Sequence, residues 1–590
     1  MTNPPASGFD RRSFLFVCSA MGVGHPVLAE ALWRKASAAG LAAPAADGDQ
    51  QPQAQGVTVT KDMVTAAAEL IGLDFSDAEK DELVQTLGST MGLLGELRKL
   101  SLPNPLQPAL RFDVELPGKA VKPGIRLKLV DEPGLRRKAT KPTDPAELAF
   151  LSVAELADLI RTRQVTSTEL TKLYLARLKQ FGPGLLCVVN LTEDRALNQA
   201  RQADEEIVAG KYRGPLHGIP WGAKDLFAVP GYPTTWGTPP FRDQMLVDTA
   251  TVVRRLDQAG AVLVAKLSLG ELAMGDLWFG GMTKNPWKTD QGSSGSSAGP
   301  GSATAAGLVA FALGTETLGS IVSPSDRNGV TGLRPTFGRV SRHGAMALSW
   351  SMDKVGPMCR SAKDCGLVLS AIHGADGLDQ SAVDRPFGWS PSKKITGLRV
   401  GYLKSAFEAD HPTKTFDAVA LDKLRSLGLT LIPVELPTDL PIGALRIILG
   451  AESAAAFDDL TRSNRDDLMT RQGRGSWPSN FRASRFIPAV EYLNANRIRT
   501  SLMYQMDQVM QSLDLFVTPT FGANVLMITN LTGHPSLTVP NGFREDGTPV
   551  SLSFVGRLWG EAELLTLGQA YQDATGFHRK HPTAFLQAGG

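Results

Sequence analysis

Four serines stand close together in the stretch Asp290–Gly301, which reads DQGSSGSSAGPG and contains the step Gly-Ser-Ser twice. Serine hydroxyls can act as nucleophiles, but a glycine-serine repeat can equally form a flexible loop. The pentapeptide GSSAG matches G-x-S-x-G and would make Ser297 the nucleophile of an α/β-hydrolase. That pattern requires a strand directly before it, whereas the preceding residues NPWKTDQ are polar and turn-forming. Residue types alone therefore leave open the choice among Ser293, Ser294, Ser296 and Ser297.

A nucleophilic serine also needs a base that is unprotonated near the working pH. Lys224 follows a short apolar run in GIPWGAKD, and a lysine at such a place is either a surface residue or buried with a lowered pKa. Histidine is the rival base, and His217, His343 and His534 occur in the segments PLHGIP, SRHGA and TGHPS. Glycine and proline in these segments are typical of turns. Residue types alone therefore leave both Lys224 and the histidines as candidate bases.

Composition excludes several classes of protein. The 590 residues exceed the ~100–200 of a usual domain, which predicts one large domain with appendages or two to three domains. The 61 basic and 59 acidic side chains leave a net charge of +2, so no nucleic-acid partner is expected. The four cysteines form no C-x-x-C pair, and we expect no structural zinc site, no other metal site and no disulfide framework.

The segment LGTETLGSIVSP lacks the lysine of a phosphate-binding loop, so we do not expect it to bind phosphate.

The first 31 residues have the order of features found in an export signal. The twin arginines Arg11 and Arg12 precede a short apolar run, and the small residues Ala29 and Ala31 suit cleavage by a signal peptidase. The run is shorter than the ~20 apolar residues of a membrane span. We therefore expect residues 1–31 to be a twin-arginine-type signal and the protein to be exported to the periplasm; without such a signal it would be cytoplasmic.

The remaining chain divides by composition into four parts. A linker rich in alanine, glutamine and proline covers residues 32–56, and two amphipathic helices form a hairpin over 57–101, with Ser76 and Glu79 as a capping box. A proline-rich extended strap is expected over 102–145. The main domain is expected over 146–590. The capping boxes SVAE and TSTE predict where its first two helices begin.

Three stretches together resemble the amidase signature family: GIPWGAKD, then GSSAGPGSATAAGLVAFALGTETLGSI, then the segment from NGVTGLRPTFGRVS to MCRSAKDC. The resemblance extends from about Ser152 to Pro582. It implies a catalytic set of a lysine, a serine that follows a cis peptide bond, and a nucleophilic serine. These fall on Lys224, Ser296 and Ser320, since the family's bridging serine lies 24 residues before its nucleophile, as Ser296 does here. The first Gly-Ser-Ser is then a loop.

The resemblance implies an α/β fold with a mixed central β-sheet surrounded by helices, and hydrolysis of a small carboxylic amide, or a related ester or carbamate, without a cofactor. Neutral Lys224 would take the proton of Ser296, which would take that of Ser320, so Ser296 is expected within hydrogen-bond reach of both. Water would resolve the acyl-enzyme. The oxyanion hole is expected from the backbone amides of Thr317, Leu318, Gly319 and Ser320.

Two positions depart from the family pattern. The family often has Gly-Gly-Ser at the nucleophile, whereas this chain has Leu318 before Gly319 and Ser320. An arginine is common two residues after the nucleophile, but Val322 occupies that position here. Glu316 therefore lacks the partner that the family would supply. Substrate specificity is expected from the variable second half, in the region Ala451–Thr500.

Other functions remain as alternatives. The helical hairpin is similar to the small helical component that wraps the amidase component of tRNA-dependent amidotransferases, so an A-type amidotransferase component that releases ammonia from glutamine is the second candidate. An esterase based on Ser297 and a catalytically silent binding protein are further alternatives. The expected export signal and the lack of a second synthetic module favour a free-standing hydrolase, either a monomer or a homodimer.

Overall fold

A computed structural model describes residues 58–97, 104–105, 110–115 and 139–586. The chain divides into two compact units, residues 1–101 and 102–590. The expected export signal and linker lie outside the described residues, so the structure does not bear on them. Of the expected strap, the structure describes residues 104–105, 110–115 and 139–145.

The described part of the first unit, residues 58–97, contains two helices, α1 (Lys61–Ile71) and α2 (Asp77–Leu97). The Thr60 hydroxyl caps the start of α1, and Gly72, with φ of 70°, ends it in the left-handed conformation that glycine adopts without strain. Ser76 and Glu79 form the predicted capping box, because the Ser76 amide donates to the Glu79 carboxylate at 2.7 Å and the Glu79 amide donates to the Ser76 hydroxyl at 3.4 Å.

The second unit is built on an eleven-stranded mixed sheet, which confirms the predicted α/β class. The strands in chain order are β1 (Val188–Leu191), β2 (Pro220–Lys224), β3 (Val262–Leu267), β4 (Leu277–Trp278), β5 (Gly281–Met282), β6 (Lys284–Asn285), β7 (Lys288–Gly292), β8 (Phe311–Glu316), β9 (Thr331–Arg334), β10 (Lys354–Cys359), β11 (Val400–Leu403), β12 (Leu431–Val434), β13 (Leu515–Pro519), β14 (Ser536–Phe543) and β15 (Pro549–Gly556). The order across the sheet is β1-β3-β2-β8-β10-β9-β14-β15-β13-β11-β12, and β4–β5 and β6–β7 form two small separate hairpins.

Helices surround this sheet. They are α3 (Pro145–Phe150), α4 (Val153–Arg161), α5 (Ser167–Leu185), α6 (Glu193–Val208), α7 (Thr251–Gln258), α8 (Ala298–Ala305), α9 (Val322–Asn328), α10 (Ala362–Ile372), α11 (Lys404–Glu408), α12 (Lys414–Ser426), α13 (Arg446–Ala456), α14 (Asp458–Arg462), α15 (Trp477–Ser484), α16 (Ala489–Met510), α17 (Val525–Leu531) and α18 (Glu561–Thr575). Both predicted capping boxes, at Ser152 and Thr166, are formed and open α4 and α5.

The strands at the centre of the sheet are buried on both faces. Every residue of β2, β3 and β10 is buried, and β8 is buried except at Thr315. Trp221 of β2 stacks on Phe311 of β8, with ring centroids 6.0 Å apart. Strands covered on both faces are nearly continuous apolar runs, and a charged side chain among them must be matched by specific partners. Lys224, at the end of β2, is such a side chain.

Short described pieces of the strap contact the sheet unit. The Asn104 side chain pairs with the backbone of Ala347, donating to its carbonyl at 2.8 Å and accepting from its amide at 2.7 Å. Further along, Phe112 lies edge-on to Phe337, with centroids 5.1 Å apart. These contacts place Asn104 and Phe112 against the sheet unit. Within residues 58–97 and 139–586, no helix has the length and apolar character needed to cross a membrane.

Candidate active site

Strand pairing brings the candidate base and the candidate nucleophile to one edge of the sheet. β2 and β8 are parallel neighbours, with Ala223 opposite Leu313. Lys224 is the last residue of β2, and Ser320 follows the end of β8 after a short loop. Because parallel strands end on the same side, two segments about a hundred residues apart meet there.

The Lys224 side chain is fully buried and surrounded by hydroxyl groups. Its Nζ lies 2.9 Å from Ser296 Oγ, 3.1 Å from Ser297 Oγ and 2.9 Å from Thr315 Oγ1. Burial lowers the pKa of Lys224 to about 7, although the carboxylates of Asp353 and Glu316 partly oppose the shift. The amine can therefore exist in its neutral, basic form near neutral pH.

The two adjacent serines of the second Gly-Ser-Ser have different environments. The peptide bond between Gly295 and Ser296 is cis. The Ser297 hydroxyl donates to the Thr315 carbonyl and accepts from the Thr315 amide, both at 3.1 Å. Its amide donates to the Ser320 carbonyl at 3.1 Å, which joins the two serine-bearing loops. Ser297 is completely buried and hydrogen-bonded on all sides, so its hydroxyl is not presented to a substrate.

Ser320 lies on the wall of a cavity of about 520 Å³. Thr317, Leu318 and Gly295 also line it, and Trp477, Ile447 and Leu449 form part of its apolar wall. Within residues 139–586 the Ser320 hydroxyl makes no hydrogen bond, so the contact expected between Ser296 and Ser320 is not formed in this structure. A serine hydroxyl rotates freely about its Cα–Cβ bond, and catalytic hydrogen bonds often close only when substrate is bound.

The expected oxyanion loop has free backbone donors. In the part of the chain from 139 to 586, the amides of Thr317, Leu318, Gly319 and Ser320 have no hydrogen-bond partner. The left-handed conformation in this loop falls on Gly319, whose φ is 90°, and not on Leu318. A leucine is therefore accommodated where the family often has glycine, because its own backbone conformation is an ordinary one.

Glu316 anchors the loop that carries the nucleophile, and its partner was not foreseen from the sequence. Its carboxylate accepts the amides of Ile321 at 2.8 Å and Val322 at 3.0 Å, and it forms a buried ion pair with Arg334 at 2.7 Å. Burial alone would raise the pKa of Glu316, but Arg334 and the backbone amides lower it to about 2. Arg334, from β9, thus supplies the positive charge that Val322 cannot.

A second carboxylate holds the other side of the loop. Asp353 accepts a hydrogen bond from the Thr317 hydroxyl, and its other oxygen accepts the amides of Leu348 at 2.8 Å and Ser349 at 2.9 Å. This contact connects the expected oxyanion loop to Leu348, which lines the cavity. No sequence pattern signals it, since Thr317 and Asp353 are neighbours only through the pairing of β8 with β10.

The candidate histidines lie elsewhere. The His534 ring contacts the Thr532 hydroxyl at 2.7 Å, and burial lowers the pKa of His534 to about 3. His217 accepts the Arg213 amide at 3.1 Å and lies 3.2 Å from Glu206. Neither histidine, nor His343, lines the cavity that contains Ser320. Across the described ranges, no three His, Cys, Asp or Glu side chains are grouped as a metal site would require.

Comparison with known proteins identifies the family of the chain. The sequence profile of the Amidase family matches residues 169–530. The A-type component of the glutamyl-tRNA(Gln) amidotransferase of Marinomonas sp. (strain MWYL1) is 33% identical over 479 residues, which cover 73% of this chain and 98% of that protein.

Solved structures of amidases superpose on the second unit. The peptide amidase of Stenotrophomonas maltophilia is 32% identical, with a TM-score of 0.65, and the match covers 73% of this chain and 98% of that one. A bacterial aryl acylamidase of the amidase signature family, 22% identical, shares the fold with a TM-score of 0.65 over 75% of this chain and 98% of its own. Together with the profile match, these similarities establish that the chain belongs to the amidase signature family.

Proposed function

We propose that this enzyme hydrolyses carboxylic amides, with Ser320 as the nucleophile and Lys224 as the base, acting through Ser296. The observation that carries the proposal is the position of Lys224: a buried amine 2.9 Å from Ser296, at the sheet edge where Ser320 faces a cavity. A buried lysine that keeps its charge is normally paired with a carboxylate, as Lys266 is with Asp225 at 2.7 Å. Within the described residues, Lys224 forms no ion pair, and its near neighbours are hydroxyl groups and a backbone carbonyl.

The hydrogen bonds around Lys224 supply a direction for proton transfer. The Ser297 hydroxyl donates its proton to the Thr315 carbonyl, so it must accept the hydrogen bond from Lys224. A neutral amine has two N–H donors, which can serve the Ser297 and Thr315 hydroxyls, and one lone pair, which is left for Ser296. The Ser296 proton then moves to Lys224 as Ser296 takes the proton of Ser320 and the Ser320 oxygen bonds to the carbonyl carbon.

The rest of the reaction follows from the same groups. The negative charge that develops on the carbonyl oxygen faces the free amides of the Gly319 loop, each worth a few kcal/mol in comparable sites. The proton held by Lys224 returns through Ser296 to the leaving nitrogen, and the C–N bond breaks to give an acyl-Ser320. A water molecule, deprotonated by the same relay, then releases the carboxylic acid and restores Ser320. Esters and carbamates fit the same steps.

An amidotransferase role is the second candidate, because the chain is similar to the A-type components of glutamyl-tRNA(Gln) amidotransferases. The two roles differ in what the chain does alone. A free-standing amidase hydrolyses simple amides as a purified protein, whereas an amidotransferase component would release ammonia from glutamine and pass it to a partner. Comparing turnover of an anilide panel and of glutamine by the purified chain separates them.

We also propose that the chain is exported, from the order of charge, apolar run and small residues in 1–31. Replacing Arg11 and Arg12 by lysines should keep the protein in the cytoplasm of a bacterial host that has twin-arginine transport. Fractionation and N-terminal sequencing measure this. An unchanged distribution, or an uncleaved N-terminus in the wild-type protein, would contradict the proposal.

Replacing the nucleophile tests the function directly. Ser320→Ala should abolish amide hydrolysis while the melting temperature stays within a few degrees of wild type, since the hydroxyl faces a cavity and makes no hydrogen bond within residues 139–586. A serine-directed phosphonate should label Ser320 in the wild-type enzyme, as located by peptide mass spectrometry. Labelling of Ser297 in place of Ser320 would overturn the assignment.

The base should appear in the pH profile. Because burial lowers the pKa of Lys224 to about 7, kcat/KM should rise as pH increases through this value and the amine loses its proton. Lys224→Met should remove the rising limb together with most of the activity, and Lys224→Arg should be inactive at every pH because a guanidinium does not deprotonate. Lys172→Met, at an exposed lysine of α5, is the matched control and should keep the wild-type profile.

The roles of the four serines can be separated by single substitutions. Ser296→Ala should lower kcat/KM by roughly 10³-fold or more, because it interrupts the relay between base and nucleophile. Ser293→Ala and Ser294→Ala should be nearly silent. Ser297→Ala should fall between these limits, since it removes one acceptor that orients Lys224. A loss at Ser293 as large as that at Ser296 would show that the wrong Gly-Ser-Ser was selected.

A further inference from the structure

The cavity beside Ser320 contains one charged side chain. Most of its wall is apolar, from Met274 and Leu318 on one side to Trp477 and Ile487 on the other. Arg446 is the exception among the lining residues. It is the first residue of α13, so its charge adds to the positive end of the helix dipole. The wall of the site therefore carries a localised positive charge in otherwise apolar surroundings.

Within the described residues, the Arg446 guanidinium has no polar partner. Across residues 58–97 and 139–586, it makes neither a hydrogen bond nor an ion pair. Arginines on the neighbouring helix α15 and just beyond it are paired: Arg482 with Asp466 at 2.8 Å, and Arg485 with Asp458. Among the described residues, Arg446 differs from these two arginines in having no carboxylate partner.

A second polar side chain faces the same cavity in the same condition. Asn480, on α15, lines the cavity, and its amide group has no hydrogen-bond partner within the described part of the second unit. Arg446 and Asn480 therefore present unused donors from two different helices. A guanidinium and an amide that line one cavity suit a planar group with two acceptor oxygens, because arginine binds carboxylates through two parallel hydrogen bonds.

We infer that Arg446 and Asn480 bind a carboxylate, or another anionic group, that the amide substrate carries at a distance from its scissile bond. The apolar wall between them and Ser320 suits an aliphatic or aromatic spacer. A substrate that fills the cavity displaces water from around Arg446, which strengthens the attraction between the charges. The inference rests on the proposed function for the position of the scissile bond, but the binding of an anion can be measured without turnover.

Calorimetric titration of the wild-type enzyme with ω-phenyl carboxylates of three to six carbons, and with the alcohols of the same length, tests this. The carboxylates are product-like and are not hydrolysed. At least one carboxylate should bind about tenfold more tightly than its alcohol, as expected for hydrogen bonds to a charged group. Equal affinities across the whole series would overturn the inference even if the enzyme hydrolyses neutral amides.

Substitutions then locate the effect. Arg446→Gln should reduce the preference for carboxylate over alcohol to near one, Arg446→Lys should retain part of it, and Asn480→Ala should weaken it. Arg497→Gln, which removes an exposed arginine of α16 that does not line the cavity, should leave the preference unchanged. Loss of the preference in Arg497→Gln as well would indicate a general charge effect and contradict a specific site. If Ser320→Ala stays active, the proposed chemistry fails, while the anion preference is still decided by the titrations.

Discussion

The active site depends on a lysine amine that is buried without a carboxylate partner. Removing an ammonium ion from water is costly, and a protein can meet that cost by pairing the charge or by releasing the proton. Around Lys224 the protein offers hydroxyls and a carbonyl, which hydrogen-bond to a neutral amine without stabilising the ammonium form as a carboxylate in contact would. The two nearby carboxylates that act on Lys224 through space, Glu316 and Asp353, are themselves engaged elsewhere. The Lys224 amine is thus basic at neutral pH because no carboxylate is in contact with it among the described residues.

The site does contain a buried ion pair, but this pair holds the loop in place and does not contact the lysine amine. Glu316 and Arg334 form a fully buried pair, and the carboxylate also holds the amides that follow Ser320. Removing one member of such a pair is far more damaging than the small net stability of the pair suggests, because the other charge is left unsatisfied. The pair therefore ties the nucleophile loop to β9 and α9. The Glu316–Arg334 ion pair thus supports the Ser320 loop, while the described residues form no ion pair with the Lys224 amine.

Local patterns in the sequence predict part of this structure well. The capping boxes at Ser152 and Thr166 involve residues three apart, so a short window contains the whole interaction. The 24-residue spacing placed Ser296, not Ser293, next to Lys224. Arg334 as the partner of Glu316 could not be predicted, because the contact joins strands separated by β10 in the sheet order. The expected specificity region began at Ala451, but the cavity also uses Arg446 and Ile447, one turn earlier on the same helix.

The residues that the sequence predicted lie on or next to the central strands, and the cavity residues that it did not predict lie on the surrounding helices. The reacting groups sit at the ends of β2 and β8 and in the loop before α8, where the backbone of a sheet buried on both faces fixes them. Another part of the cavity wall is built from side chains of α13 and α15, which make no hydrogen bond to Lys224 among the described residues. The candidate catalytic residues thus lie at the central strands, and the side chains proposed to bind substrate lie on helices at the cavity wall. Arg446, which has no ion-pair partner among the described residues, is tolerated in this arrangement because it is exposed and water can solvate its guanidinium.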